Sequence, residues 1–228
     1  MITVEDLTRT YRTGHVEVHA LKNVSFTVPE GELLAVKGRS GSGKTTLLNL
    51  IGGLDTPESG RVVVAEHEVT TLGEAGLQRM RRETVGFVFQ SFGLIPVLSA
   101  AENVGVALRL TRTPAPEREE RVRLLLAMVG LAEHARQRPY ELSGGQQQRV
   151  AIARALAHEP RVLIADEPTG QLDSETAQSI MQLIHAVVRD QGVTAVVATH
   201  DPMLIRHADR VIELSDGVLV SGDGASAS

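Results

Sequence analysis

The chain has 228 residues and no cysteine. Disulfides and thiolate metal sites are therefore excluded, and a reducing cytoplasm suits such a chain. Long apolar runs are also missing. LLLAMV and VLIA are among the longest, far short of the ~18 residues that a membrane-spanning helix requires. The N-terminal MITVEDLTRT lacks the basic-then-apolar order of a secretory leader. No internal repeat is present. Excess positive charge is lacking too: the net charge of -5 argues against binding nucleic acid by bulk electrostatics. Lysine is scarce. Lys22, Lys37 and Lys44 are the three lysines among 23 basic residues, which leaves 20 arginines. A lysine inside a glycine loop of such a chain points to a specific need for lysine.

What remains is the composition of a globular, soluble protein, 42% hydrophobic and 22% charged. Its length suits one large domain, or a domain with an inserted subdomain. The first third reads as strands and turns: MITVEDLTRTY, HALKNVSFTV and GRVVVAEHEV are β-branched segments broken by Pro29, Gly31 and Gly60. LLAVK is a short buried strand that runs into a glycine turn, and TTLLNLIGGL follows with helical character. TVGFVF is another strand. From about Glu117, after the breakers Pro114 and Pro116, charge and leucine alternate at helical spacing. QQQRVAIARALAHEP is a second helix, stopped before Pro160. RVLIAD and TAVVAT are strands around a long helix that starts at SETAQ, with Ser174 as its expected N-cap. RVIEL and GVLVS close the pattern. Strands alternating with helices predict a mostly parallel sheet. The tail SGDGASAS is expected to be frayed.

GRSGSGKT fits the pattern G-x-x-x-x-G-K-[ST] at Gly38, Gly43, Lys44 and Thr45. A triphosphate needs many donors at close range. Glycines let the backbone wrap it so that successive N–H groups point inward, and the helix start adds partial positive charge. Lys44 can reach the β- and γ-phosphates, and Thr45 can ligate Mg²⁺. The other reading, an ordinary strand-turn-helix joint, does not require this lysine. In RVLIADEP an apolar strand ends in Asp166-Glu167, where the ligand crevice of an open α/β sheet lies. Asp166 could hold Mg²⁺ through water, and Glu167 could polarise an attacking water. Gln90 ends FVFQ, and His200 follows VVAT. Alone each is an ordinary loop residue, but the four strand ends would converge on one crevice.

ELSGGQQQR is a second glycine turn ahead of a helix, and so a second anion-binding helix start. Its bland reading is an interdomain turn. The place beside Lys44 is already filled, so this helix start would have to reach the γ-phosphate from the opposite side.

With GRSGSGKTT, FVFQ, LSGGQQQR, VLIADEPTGQLD and THD in this order from Tyr11 to Asp201, the chain resembles the ATP-binding subunit of ABC transporters. LSGGQ separates that family from other P-loop proteins. The pieces EVHALKNVSF, LIGGLDTPESG, SFGLIPVLSAAENV and DEPTGQLD are most similar to its macrolide-exporter and lipoprotein-release branch, which includes the FtsE-like cell-division ATPases. In two places the chain departs from it: Gln171 stands where Asn is usual in the Gly-Asn-Leu-Asp turn, and Arg39 where Pro is frequent.

The resemblance implies an α/β fold, a P-loop NTPase with a RecA-like parallel core. An N-terminal antiparallel β subdomain (about 1–32 and 60–70) and an inserted helical subdomain (about 91–158) would complete a single domain of residues 1–220, with 221–228 a flexible tail. It implies ATP and Mg²⁺ as ligands, and a head-to-tail dimer with a second copy. ATP would lie on Gly38, Arg39, Ser40, Gly41, Ser42, Gly43, Lys44, Thr45 and Thr46. Ser143, Gly144, Gly145 and Gln146 of the other copy would close over it. Tyr11 would stack on adenine; the bland alternative is strand-end packing. Thr45, Gln90 and Asp166 would serve the metal, and Gln90 would couple it to the mobile helical part. Glu167 would be the catalytic base, His200 would hold the γ-phosphate and the water, and Asp173 would lie in the cross-dimer turn. The segment SFGLIPVLSAAEN would contact a membrane partner. That permease would be a separate polypeptide, with this chain peripheral on the cytoplasmic face. RMRR reads as a solvated helix face. Two alternatives stand beside transport: a soluble ABC ATPase, for which a coiled-coil insertion, zinc module or tandem ATPase domain would be expected, and an FtsE-like regulator that moves no solute.

Overall fold

A computed structural model describes residues 1–14 and 16–221. Two sheets organise the chain. Strands β1 (Ile2–Thr13), β2 (Val16–Val28), β4 (Ser59–Val64) and β5 (His67–Glu68) form an antiparallel sheet in the order β2-β1-β4-β5. A six-stranded sheet contains β3 (Leu33–Lys37), β6 (Val85–Val88), β7 (Val162–Asp166), β8 (Thr194–Ala198), β9 (Arg210–Ser215) and β10 (Val218–Ser221). Its order is β10-β9-β3-β8-β7-β6. All its pairings are parallel except β9 with β10.

The parallel strands are apolar runs because both faces of their sheet are covered. Alternate residues go to opposite sides. Leu33 and Ala35 of β3 join a core with helices α3 (Ala100–Leu110), α4 (Ala115–Met128), α5 (Gly144–Ala155) and α6 (Ser174–Gln191). Leu34 and Val36 join a second core with α1 (Lys44–Ile51) and the antiparallel sheet. The helical part of the chain therefore shares a core with one face of the parallel sheet. Each fully buried leucine there stabilises the fold by about 1.5–3 kcal/mol. Helices α2 (Glu74–Glu83) and α7 (Pro202–His207) complete the fold.

Several boundaries differ from expectation. The N-cap of α6 is Asp173, not Ser174: its carboxylate accepts from the Thr176 amide at 3.0 Å and the Thr176 hydroxyl at 2.7 Å. A carboxylate offers two acceptors where a serine hydroxyl offers one oxygen. Pro116 does not break α4 but sits in its first turn, where its missing N–H has no intrahelical role. Ser221, assigned to the tail, ends β10; residues 222–228 lie outside the described residues. Helix α3 has no counterpart in the periodicity reading, and α2 has one only in its RMRR face. A signal for α3 was present: Ser99 and Glu102 form a capping box, with the Ser99 amide donating to Glu102 at 2.8 Å and the Glu102 amide to Ser99 at 3.2 Å. The RMRR cluster lies on α2 but is not wholly solvated. Met80 is fully buried, and Arg81 donates to the Gly53 carbonyl and to Glu74.

Candidate active site

Strands β3, β8, β7 and β6 are consecutive neighbours and run parallel, so their C-terminal ends lie side by side. Gly38, His200, Asp166-Glu167 and Gln90 follow those ends. A cleft of about 620 Å³ opens there, lined by Tyr11, Arg39, Ser40, Gly41, Gly43, Lys44, Thr45, Thr46, Gln90, Glu167 and His200. Gly38 and Ser42 belong to the loop but do not line the cleft. A Cβ on Gly38 would lie 2.4 Å from the Ser42 hydroxyl oxygen and 2.4 Å from the Leu214 carbonyl.

The glycine loop is shaped by backbone that side chains resist. Gly43 has φ 106° and caps α1 without any side-chain hydrogen bond. The first N–H groups of α1 are therefore not consumed by a cap. A Cβ at Gly43 would meet the Ala20 carbonyl at 2.3 Å. Lys44 is buried, and its ammonium donates to the carbonyls of Gly38 at 2.7 Å and Arg39 at 3.1 Å. It also lies 3.5 Å from Glu167 Oε1.

Thr45 donates its hydroxyl to Asp166 Oδ2 at 2.8 Å. The other oxygen, Oδ1, is buried with no protein partner. Burial raises the Asp166 pKa; the Thr45 bond opposes this, and the charge of Glu167 adds to it. Glu167 occupies the left-handed region at φ 45°, a strained place for a residue with a Cβ. Its amide donates to the Ala198 carbonyl at 2.9 Å, which ties the turn to the end of β8. Glu167 Oε2 is 2.9 Å from His200 Nδ1. A carboxylate only accepts, so Nδ1 carries the proton, and Nε2 is the ring nitrogen left for other partners. Gln90 lies against the same turn: a Cβ on Gly170 would lie 3.3 Å from its amide nitrogen.

Ser143, Gly144, Gly145 and Gln146 do not line this cleft. Ser143 caps α5, and Gln146 completes a capping box, accepting from the Ser143 amide at 2.8 Å. Ser143, Gly145 and Gln146 line a separate groove of about 260 Å³ with Arg149, Glu175, Thr176 and Ser179. Within one chain the two glycine turns thus serve two different surfaces. Two lining residues of the main cleft escaped the sequence reading, Val18 and Ala20. Val18 pairs with Tyr11 across β1 and β2 and is half exposed. No spacing in the sequence joins Val18 to Tyr11; the pairing of β1 with β2 brings them together.

A family model described as ABC transporter matches residues 21–170. An uncharacterized ABC transporter ATP-binding protein of Methanocaldococcus jannaschii, MJ0796, is 46% identical over 221 residues, 95% of this chain and 94% of that protein. The macrolide export ATP-binding/permease protein MacB of Brucella melitensis is 44% identical over 97% of this chain. The chain spans 34% of that longer protein. The dimeric structure of a post-hydrolysis state of the MJ0796 ATP-binding cassette, bound to ADP and Pi, is similar with a TM-score of 0.91 and 42% identity over the whole of both chains. The family match takes in the glycine turn, the LSGGQ turn and the strand that carries Asp166 and Glu167, and the chain belongs to the ABC transporter family.

Proposed function

We infer that this chain binds and hydrolyses ATP and powers a transmembrane permease through ATP-driven, head-to-tail pairing of two copies. One observation carries the reading. Lys44, Thr45, Asp166, Glu167 and His200 converge at neighbouring strand ends, while the helix start at Ser143 faces another groove. An ATP held by the first set can be completed by the second only from another copy. That the related cassette is dimeric with ADP and Pi supports it.

Water attacks the γ-phosphorus and the bond to the β–γ bridging oxygen breaks, its electron pair leaving on ADP. Glu167 takes the proton of the water; His200 orients Glu167 through its Nδ1–H, and as the imidazolium it donates its second N–H, at Nε2, to the γ-phosphate. Lys44 neutralises the β- and γ-phosphates, the positioning and charge compensation on which phosphoryl transfer relies. Tyr11 stacks on adenine. Asp173, besides capping α6, lies in the turn that meets the other copy.

The residues also fit Mg²⁺. A buried carboxylate oxygen without a partner sits beside a threonine hydroxyl. No cluster of three or more His, Asp or Glu side chains able to hold a metal occurs among the described residues, which suits an ion that takes one or two protein ligands plus phosphate and water. Thr45, Gln90 and, through water, Asp166 would hold it, and it would supply charge neutralisation at the phosphates.

No helix among the described residues is long and apolar enough to cross a membrane. The permease contact falls on the loop after Gln90, where Ile95 and Val97 are exposed, Val97 at 72%. On this reading the chain lies on the cytoplasmic face of the membrane. The test mixes copies carrying Ser143→Arg with copies carrying Lys44→Ala. Mixed dimers hold one intact shared site, and activity should return on mixing. Full activity of Ser143→Arg alone would sink the shared-site reading.

A further inference from the structure

Behind Tyr11 lies a polar cluster that plays no part in the chemistry above. Asp55, in the loop after α1, accepts two bonds from the Arg9 guanidinium, at 2.8 and 3.0 Å. It also accepts from the Tyr11 hydroxyl at 2.7 Å and from the Thr56 amide at 2.7 Å. The Arg9 guanidinium carbon stands 4.7 Å from the centroid of the Tyr11 ring. Tyr11 lines the nucleotide cleft and Arg9 does not. The ring thus has one face against a cation and presents its body to the cleft.

We propose that Arg9 and Asp55 are positioning residues for the nucleotide base, holding the Tyr11 ring as a fixed platform. This rests on the reading of Tyr11 as the base-stacking residue. The physical argument has two parts. A tyrosine at a strand end has two free χ angles, and stacking must immobilise both. Here the hydroxyl is fixed by Asp55 and the rear face by Arg9, so that cost falls on folding instead of on binding. The cluster also sets where the platform stands. Asp55 lies just beyond the C-terminal end of α1, whose N-terminal end carries Lys44. One short helix therefore joins the base platform to the phosphate loop.

The test compares two ligands, ATP and inorganic tripolyphosphate, which has the phosphates without the base. Asp55→Asn, Arg9→Met and the milder Arg9→Lys are titrated with each, beside Tyr11→Phe and Tyr11→Ala. Asp55→Asn and Arg9→Met should weaken ATP by about three- to tenfold, the size of a lost cation–π or exposed ion-pair contact. Tripolyphosphate affinity should hold within about twofold, and the ATPase defect should lie in KM more than in kcat. Tyr11→Phe, which keeps the ring but not the hydroxyl, should fall between the native chain and Tyr11→Ala. Arg9→Lys, which keeps the cation, should recover part of the loss. Equal weakening of both ligands, or of neither, overturns the positioning role. If Tyr11→Ala itself leaves ATP affinity unchanged, the base-stacking reading falls first, and this proposal with it.

Discussion

Lys44 and Glu167 approach to 3.5 Å with side chains only 8% and 13% exposed. One is the cation that a triphosphate needs and the other an anion that it must face. Bound phosphates gain from Lys44 and are repelled by Glu167, so neutralising either residue should move ATP affinity in opposite directions.

Lys44→Ala should weaken ATP by about 10- to 150-fold, the 1.5–3 kcal/mol of a hydrogen bond to a charged group, and should abolish turnover. Calorimetry and phosphate release measure the two. Retained full ATPase activity would refute the P-loop assignment.

Glu167→Gln removes the repelling charge and the proton acceptor together. ATP should bind more tightly, while turnover falls by about 10²- to 10⁴-fold, the usual contribution of general base catalysis. The dimer should accumulate with ATP on size exclusion with light scattering. A variant that stays monomeric with ATP, even with the permease supplied, would falsify the shared-site model.

Ser143→Arg places a long cation on a groove separate from the cleft. Because Ser143 does not line the cleft of its own chain, monomer affinity for ATP should hold within about twofold, the scale of a surface substitution. ATP-dependent dimerisation and activity should be lost. Weakened binding to the monomer would place the LSGGQ turn in the same chain's site instead.

Asp55 supplies a pH-dependent stability term. Burial works against its charge, yet the Tyr11 hydroxyl, the Thr56 amide and Arg9 hold its pKa below the ordinary aspartate range. A depressed folded pKa means stability that is present above the unfolded value and lost as pH falls through the folded one. Asp55→Asn should therefore lower Tm at neutral pH, by no more than about 2–4 °C for a partly exposed pair in a domain of this size. The difference should shrink on acidification. Thermal scans across pH measure it, and a gap that widens in acid contradicts the assignment.

Much of this was legible in the sequence because it is local. The phosphate loop is nine consecutive residues whose function lies in their own backbone. Strand β7 announces Asp166 and Glu167 by ending an apolar run. The misses have physical reasons. Helix α2 is strongly polar and buries only Met80, so few apolar residues mark its inner face. Asp173 and Ser174 both suit an N-cap, and the choice depends on where the preceding turn delivers the chain. Arg9 and Asp55 are 46 residues apart, and no spacing rule joins them.

The sequence by itself pointed to Gly38 to Thr46 as a triphosphate cradle, because glycine dihedrals, a lysine and a helix start are what such a cradle needs. It also determined that a second helix start at Ser143 had no place beside Lys44. Only the tertiary structure decided which strand ends are neighbours, and so that His200 meets Glu167 and Thr45 meets Asp166. It also decided that Tyr11 is backed by Arg9 and Asp55, and that Ser143 lines a groove other than its own chain's cleft. Those relations depend on how strands distant in sequence pair and on which side of the sheet each helix packs. Both are set by burying two cores at once, which no short stretch of sequence can specify.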